Sequence, residues 1–218
     1  MDPEKIIIVI PAWNEENTIA AVVASVRAYG RVVVVNDAST DRTAPCAEEA
    51  GAEVVGHEVN HGYVGALNTG FKAAEEKGAE YIITFDADGQ HAPENAGSVI
   101  EHLDKGVDLV AGIRPFRPRV SEKLFAWTFS LRYGVRDPLC GLKGYRIRLY
   151  KDAGFFDRRN TYGADLLRYA CRNRDRYRIE QMPVKIYDRE DTPRMGNVFR
   201  ANVRILGGMF RLYFGRRT

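Results

Sequence analysis

The sequence predicts an α/β protein built on a Rossmann-like, mainly parallel sheet flanked by helices. Short β-branched runs alternate with helical segments over the first 113 residues, and the runs are apolar at successive positions, as strands covered on both faces must be. Three of these strands also end in polar residues that no core requires. Such alternation implies βαβ units with right-handed crossovers, and ligands of open α/β sheets sit at the carboxyl ends of the strands.

Ile6 to Ile10 is the first unbroken run. Thr18 to Tyr29 then places Ile19, Val22, Val23 and Val26 at helical spacing, with Asn17 as N-cap and Gly30 as stop. Val32 to Val35 is the second run, and "STDRTAPCAEEAG" a capped helix ending at Gly51. Val54 and Val55 make a short strand, Gly65 to Lys77 a helix stopped by Gly78, and Tyr81 to Phe85 a strand. A helix from Pro93 to Lys105 and the strand "VDLVAGI" complete the first half. Beyond Arg114 the pattern loosens into a helix at Leu124 to Tyr133, a Gly-rich stretch "CGLKGYR", a helix at Ala164 to Arg174 and a strand at Tyr177 to Tyr187. With no linker or repeat, residues 1–218 are expected to form a single domain, divided into a 1–113 half, a 114–197 half and a basic amphipathic segment, 198–218.

The overall balance of 32 basic against 29 acidic residues conceals an asymmetry. Up to residue 110 there are 7 Lys and Arg against 19 Asp and Glu, and beyond it 25 against 10. An anionic partner is therefore expected for the second half: nucleic acid, an anionic membrane surface or a phosphorylated substrate. A DNA-binding helix motif is missing, which argues against nucleic acid. Cys46, Cys140 and Cys171 are too few and too far apart for a disulfide framework or a zinc pattern, as expected in a reducing compartment. "MDPEKIIIVI" carries acids where a secretory leader carries bases, and no apolar run reaches the roughly 18 residues of a membrane span. A cytoplasmic protein, able to lie on a membrane, is the expectation.

The polar strand ends are "PAWNEE", "NDASTDRT" and "DADGQH". Asp86 and Asp88 lie two apart and share a face while the chain is extended. Hard oxygen donors at that spacing suit Mg2+ or Mn2+, and an Asp-Gly turn is the competing use.

The segments "IPAWNEENTI", "VVNDASTDRT", "NHGYVGALNTG", "FDADGQHAPE", "AGIR" and "DPLCGLKGYR" together resemble the GT-A glycosyltransferases of family 2, and within them the dolichol phosphate mannose synthases and related polyprenyl-phosphate sugar transferases. By that resemblance Asp88 is the principal metal ligand, with Asp86 and Gln90 assisting or holding the sugar nucleotide. Pro11, Ala12, Asn14 and Glu15 match the nucleotide pocket, and Asp37 the carboxylate that accepts from a base N–H. Tyr63 and Asn68 stand where the family often carries a basic residue, and His91 is left outside the metal set.

The resemblance implies transfer of a hexose, mannose from GDP-mannose first and glucose from UDP-glucose second, to dolichyl or another polyprenyl phosphate with inversion. The basic half would then receive the acceptor phosphate. Arg114 and Arg189 are its first candidates, followed by Arg117, Arg119, Arg136, Lys143 and Arg146, because a guanidinium fork matches phosphate oxygens. Asp165 falls where related enzymes carry a carboxylate before a helix. It would serve as general base if the acceptor were a hydroxyl of a glycan or glycolipid, and as an orienting or capping group if it were a phosphate. The segment "NVFRANVRILGGMFRLYFGRRT" alternates apolar residues with arginines, as an interfacial helix does, although Gly207-Gly208 weakens a continuous helix. Membrane contact would be peripheral or supplied by an anchoring partner.

Overall fold

A computed structural model describes residues 1–116, 119–187 and 198–215. One sheet holds β1 (Ile6–Ala12), β2 (Arg31–Asn36), β3 (Glu53–Gly56), β4 (Tyr81–Thr84), β5 (Leu109–Ile113), β6 (Lys143–Arg146) and β7 (Ile179–Pro183), in the order β3-β2-β1-β4-β6-β5-β7. β1 pairs in parallel with β2 and β4, β2 with β3, and β5 with β7. β6 runs antiparallel to β4 and β5, wedged between them.

Alternate residues of β1 face two separate cores. Ile6, Ile8 and Ile10 pack with α1 (Ile19–Val26), α2 (Thr43–Glu49) and α4 (Glu94–Asp104). Ile7 and Val9 pack with α3 (Gly62–Glu76), α5 (Val120–Tyr133), α6 (Ile147–Ala153), α7 (Ala164–Arg172) and α8 (Val198–Phe214). Burial on both faces explains the unbroken Ile and Val runs, each side chain contributing about 1.5–3 kcal/mol.

The differences from expectation have identifiable causes. The Gly-rich stretch "CGLKGYR" contains a strand, Lys143–Arg146, because Gly144 lets β6 pass under α4: a Cβ there would stand 2.2 Å from Val99 Cγ1. α3 begins at Gly62, three residues before Gly65, since the distant Asp37 carboxylate accepts from the His61 and Gly62 N–H groups. α2 starts at Thr43 because the preceding residues bond across to the loop after β1. β4 stops at Thr84 and β7 spans only Ile179–Pro183. α5 starts at Val120, ahead of Leu124. α8 runs unbroken through Gly207-Gly208, with Ala201, Ile205 and Leu212 buried, so tertiary packing overrides the glycine penalty. Among the described residues no helix is long and apolar enough to cross a membrane.

Candidate functional site

The carboxyl ends of β1, β2 and β4 meet because the register sets Ala12 beside Asn36 and Val9 beside Thr84. Pro11 and Ala12 are the last residues of β1, and the Ala12 carbonyl accepts from the Asp37 N–H at 2.8 Å. Asn14 adopts φ 55°, a left-handed conformation that asparagine tolerates. Its N–H donates to Ser39 Oγ at 2.9 Å, and its Oδ1 accepts from the Thr40 N–H at 2.8 Å. The buried Glu15 donates its N–H to Thr43 Oγ1 at 2.7 Å and accepts from Thr18 Oγ1 at 3.0 Å. The loops after β1 and β2 are thereby fastened into one wall.

Asp37 is buried beneath that wall, 3% exposed. Its Oδ1 meets His57 Nδ1 at 2.7 Å and accepts from the His61 N–H at 2.8 Å, while Oδ2 accepts from the Gly62 N–H at 2.7 Å. The carboxylate therefore caps α3 whatever else it does. A carboxylate offers about four lone-pair directions, and three are taken.

Asp86 and Asp88 do not sit on extended chain, so the alternation argument for a shared face fails. After Thr84 the chain turns, with Gly89 at φ 72° and the Gln90 N–H donating to Asp88 Oδ1 at 3.1 Å. Asp86 is held from three directions. Tyr63 Oη donates to its Oδ1 at 3.0 Å, His91 Nε2 lies 3.2 Å from its Oδ2, and Gly141 stands directly behind it. Burial would raise the Asp86 pKa, but the His91 and Tyr63 bonds and the nearby Lys143 more than offset this and hold it below its ordinary value. The Tyr63 hydroxyl is pushed up by burial and by Asp86, so it stays a donor. His91 and Tyr63 thus orient the Asp86 carboxylate, a role the sequence reading missed for both. Only the nearness of His91 to "DAD" signalled it. Asn68 instead bonds the Asp157 backbone in both directions, 2.9 and 3.2 Å.

Among the described residues no cluster of three or more His, Cys, Asp or Glu side chains forms a closed metal cage. Two carboxylates on one turn, one of them kept ionised, fit a hard cation that retains waters and shares substrate phosphates, as Mg2+ and Mn2+ do.

Arg114, at the carboxyl end of β5, is committed. Its Nε and Nη2 grip Asp137 bidentately at 2.9 and 3.0 Å, and Glu122 lies 3.5 Å away. Burial works against the charge, but Asp137 raises the guanidinium pKa further above its ordinary value. Lys143 is buried at the start of β6 with Nζ donating to the Cys140 carbonyl, and burial lowers its pKa. Arg119 pairs with Glu122, and Arg136 is exposed with its N–H donating to Gln181 Oε1. Arg146 does not reach the rim: it lies at the other end of the sheet, where it caps α4 through the Leu103 and Val107 carbonyls. Asp165, 1% exposed in the first turn of α7, is caged by Arg158, Arg159 and Arg168 at 3.9, 3.3 and 3.3 Å. Arg189 and Arg117 lie outside the described residues.

Residues 7–162 match the family model described as glycosyl transferase family 2. The chain is 33% identical over 177 residues to an uncharacterized glycosyltransferase of Mycobacterium tuberculosis, the match covering 77% of this chain and 79% of that one. It is 34% identical over 139 residues to a UDP-N-acetylglucosamine--dolichyl-phosphate N-acetylglucosaminyltransferase of Methanococcus voltae, and spans about half of it, 55% of each chain being covered. A polyprenol monophosphomannose synthase of Mycolicibacterium smegmatis is 26% identical over 212 residues, covering 86% of this chain and 79% of that one. A crystal structure of glucosyl-3-phosphoglycerate synthase from M. tuberculosis with Mn2+, UDP and phosphoglyceric acid superposes with TM-score 0.75 at 18% identity, covering 99% and 80% of the two chains, a likeness of fold. The chain belongs to glycosyl transferase family 2, and its sheet of seven strands carries the GT-A fold of that family.

Proposed function

We propose that the protein transfers a hexose from a nucleotide sugar to the phosphate of a polyprenol, with inversion at the anomeric carbon. The observation that carries this is the metal corner, where the ionised Asp86 and its neighbour Asp88 close a rim walled by residues 11–15 and Asp37. Relatives named for transfer to dolichyl phosphate and for polyprenol monophosphomannose synthesis support the acceptor class.

Asp88, Asp86 and Gln90 would hold Mg2+ or Mn2+, which when bound neutralises the departing diphosphate. The loops at Asn14, Glu15, Ser39 and Thr40 fix the nucleotide. By count of lone pairs Asp37 can take one further donor, on Oδ2, which matches the single N3–H of uracil and not the paired N1–H and N2–H of guanine. A uridine nucleotide therefore moves ahead of GDP-mannose. A polyprenyl phosphate has a second pKa of about 6 and is mostly dianionic at neutral pH, so it requires alignment rather than deprotonation. Arg114, locked by Asp137, supplies a fixed cation for that alignment, with Arg189 as a second. Asp165, held among three arginines, suits a positioning role better than that of a base. The lipid acceptor sets the work at a membrane surface.

The test crosses UDP-glucose, UDP-N-acetylglucosamine and GDP-mannose with dolichyl phosphate, with and without EDTA. Chelator-sensitive transfer is expected, faster from a uridine donor and lost in Asp88→Asn. Absence of such transfer from every donor refutes the proposal.

A further inference from the structure

We infer that His57, backed by Thr69, is the positioning residue that decides which nucleobase the rim accepts. By filling one oxygen of Asp37 it leaves that carboxylate a single acceptor direction, the complement of a base with one N–H at its edge. This rests on the nucleotide-sugar reading of the rim and assigns the selection of the base within it.

The strand register brings the two residues together. β2 and β3 set Asn36 beside Gly56, so Asp37 and His57 are the next residues off neighbouring strands, and the His57 N–H donates to the Asn36 carbonyl at 2.9 Å. The imidazole is largely covered, with its side chain 10% exposed. Its Nδ1 lies 2.7 Å from Asp37 Oδ1, and its Nε2 lies 2.9 Å from Thr69 Oγ1. Thr69 follows Gly62 by seven residues, two turns along the same face of α3, so the helix whose amino end Asp37 caps also presents the hydroxyl behind the ring. Oδ1 also accepts from the His61 N–H and has no proton to give, which assigns Nδ1 as a donor. Nε2 of the neutral ring then accepts from the Thr69 hydroxyl. The exposed His61 ring stands edge-on against that of His57, with centroids 4.7 Å apart, a further constraint on its position.

α3 is capped without this histidine. The His61 and Gly62 N–H groups reach Asp37 Oδ1 and Oδ2 at 2.8 and 2.7 Å, and the Asn60 amide holds the Asp37 carbonyl at 3.1 Å. What the imidazole adds is occupancy: Oδ1 holds two donors and Oδ2 one, so by count of lone pairs only Oδ2 takes another. It adds orientation as well, because turning the carboxylate about χ2 breaks the bond from His57 together with both bonds to the helix. Paired N1–H and N2–H donors require an open direction on each oxygen, whereas a lone N3–H requires one.

The experiment is calorimetric titration of the full chain with UDP and with GDP, each in the presence of Mn2+, with Tm measured on every variant. Wild type should bind UDP at least about tenfold more tightly, since guanine would leave one donor unpaired. His57→Leu keeps apolar bulk and removes the donor; it should weaken UDP about tenfold and GDP less than about threefold, bringing the two close to parity. His57→Asn keeps an N–H near the position of Nδ1 and should hold the preference within about threefold of wild type. Thr69→Val should lower the preference by about threefold and Thr69→Ser restore it, which tests the same bonds if His57→Leu fails to fold. In transfer, His57→Leu should raise KM for the uridine donor while kcat stays within about twofold. A histidine that only supports the fold would lower Tm and leave the UDP to GDP ratio as it is. That ratio unchanged in His57→Leu, or His57→Asn behaving like His57→Leu, overturns this inference and leaves the functional reading standing. Wild type that prefers GDP and passes its sugar to the lipid phosphate also removes this inference alone. Wild type that binds neither nucleotide removes the functional reading, and this inference with it.

Discussion

Alanine at position 141 tests the proposed metal corner without touching a polar side chain. Gly141 is not among the glycines at positive φ, so alanine introduces no backbone strain. Its Cβ would, however, lie 2.0 Å from Asp86 Oδ2 and 2.5 Å from Cγ. The carboxylate would have to retreat by about 1.4 Å to reach ordinary van der Waals separation. A movement that large breaks the 3.0 Å bond from Tyr63 and the 3.2 Å contact with His91. Two hydrogen bonds at about 1 kcal/mol each lower Tm by about 4–8 °C in a chain of this size. If Asp86 holds the metal as proposed, displacing it by about 1 Å should cost about 100-fold in turnover. The assay is kcat/KM for sugar transfer at saturating Mn2+, with Tm measured alongside. Gly144→Ala is the mirror control. Its Cβ would meet Val99 Cγ1 at 2.2 Å in the core, so about 1–3 kcal/mol of stability should go while the folded fraction keeps its Mn2+ affinity. Wild-type turnover in Gly141→Ala would refute the account of Asp86.

Three further outcomes are expected. Arg114→Ala should lose about 3–5 kcal/mol in urea unfolding, because it takes the bidentate guanidinium away from the buried Asp137; a loss below about 1 kcal/mol would show that the pair is not an anchor. Asp165→Asn should lower stability by a similar amount while the turnover of folded protein falls less than about tenfold, and a fall of about a thousandfold at unchanged Tm would instead mark a general base. Burial pushes the Cys140 thiol up to about 12 and that of Cys171 up to about 11, so at pH 8 a disulfide reagent should modify the half-buried Cys46 first, and equal rates at Cys140 found by mass spectrometry would contradict this.

Where structure follows from neighbours in sequence, the sequence was readable. β1 and β2 announce themselves as runs of β-branched residues, and α1 by the spacing of Ile19, Val22, Val23 and Val26. β6 was hidden because a glycine within its four residues, and another just before them, lower strand propensity, and the helix that requires Gly144 to be bare lies forty residues earlier in the chain. The same limit governs the site. "DAD" pointed to the turn and to His91 beside it, but nothing near it indicated that Tyr63 and Gly141 would converge on the same carboxylate. The commitments of Arg114 to Asp137 and of Arg146 to α4 were likewise invisible, since a list of arginines does not say which have already been answered.

The position of β6 has a consequence for how the chain is made. A ribosome that has released the first 113 residues has released β4 and β5, yet these two do not pair with each other and must wait for residues 143–146 to join them. Until then both edges stay open, a state in which strands recruit wrong partners. Asp86 has emerged as well, but Gly141 behind it has not. A fragment ending at residue 113 should therefore be insoluble, and the corner around Asp86, where we propose the nucleotide sugar is held, is completed only when the second half of the chain has been synthesised.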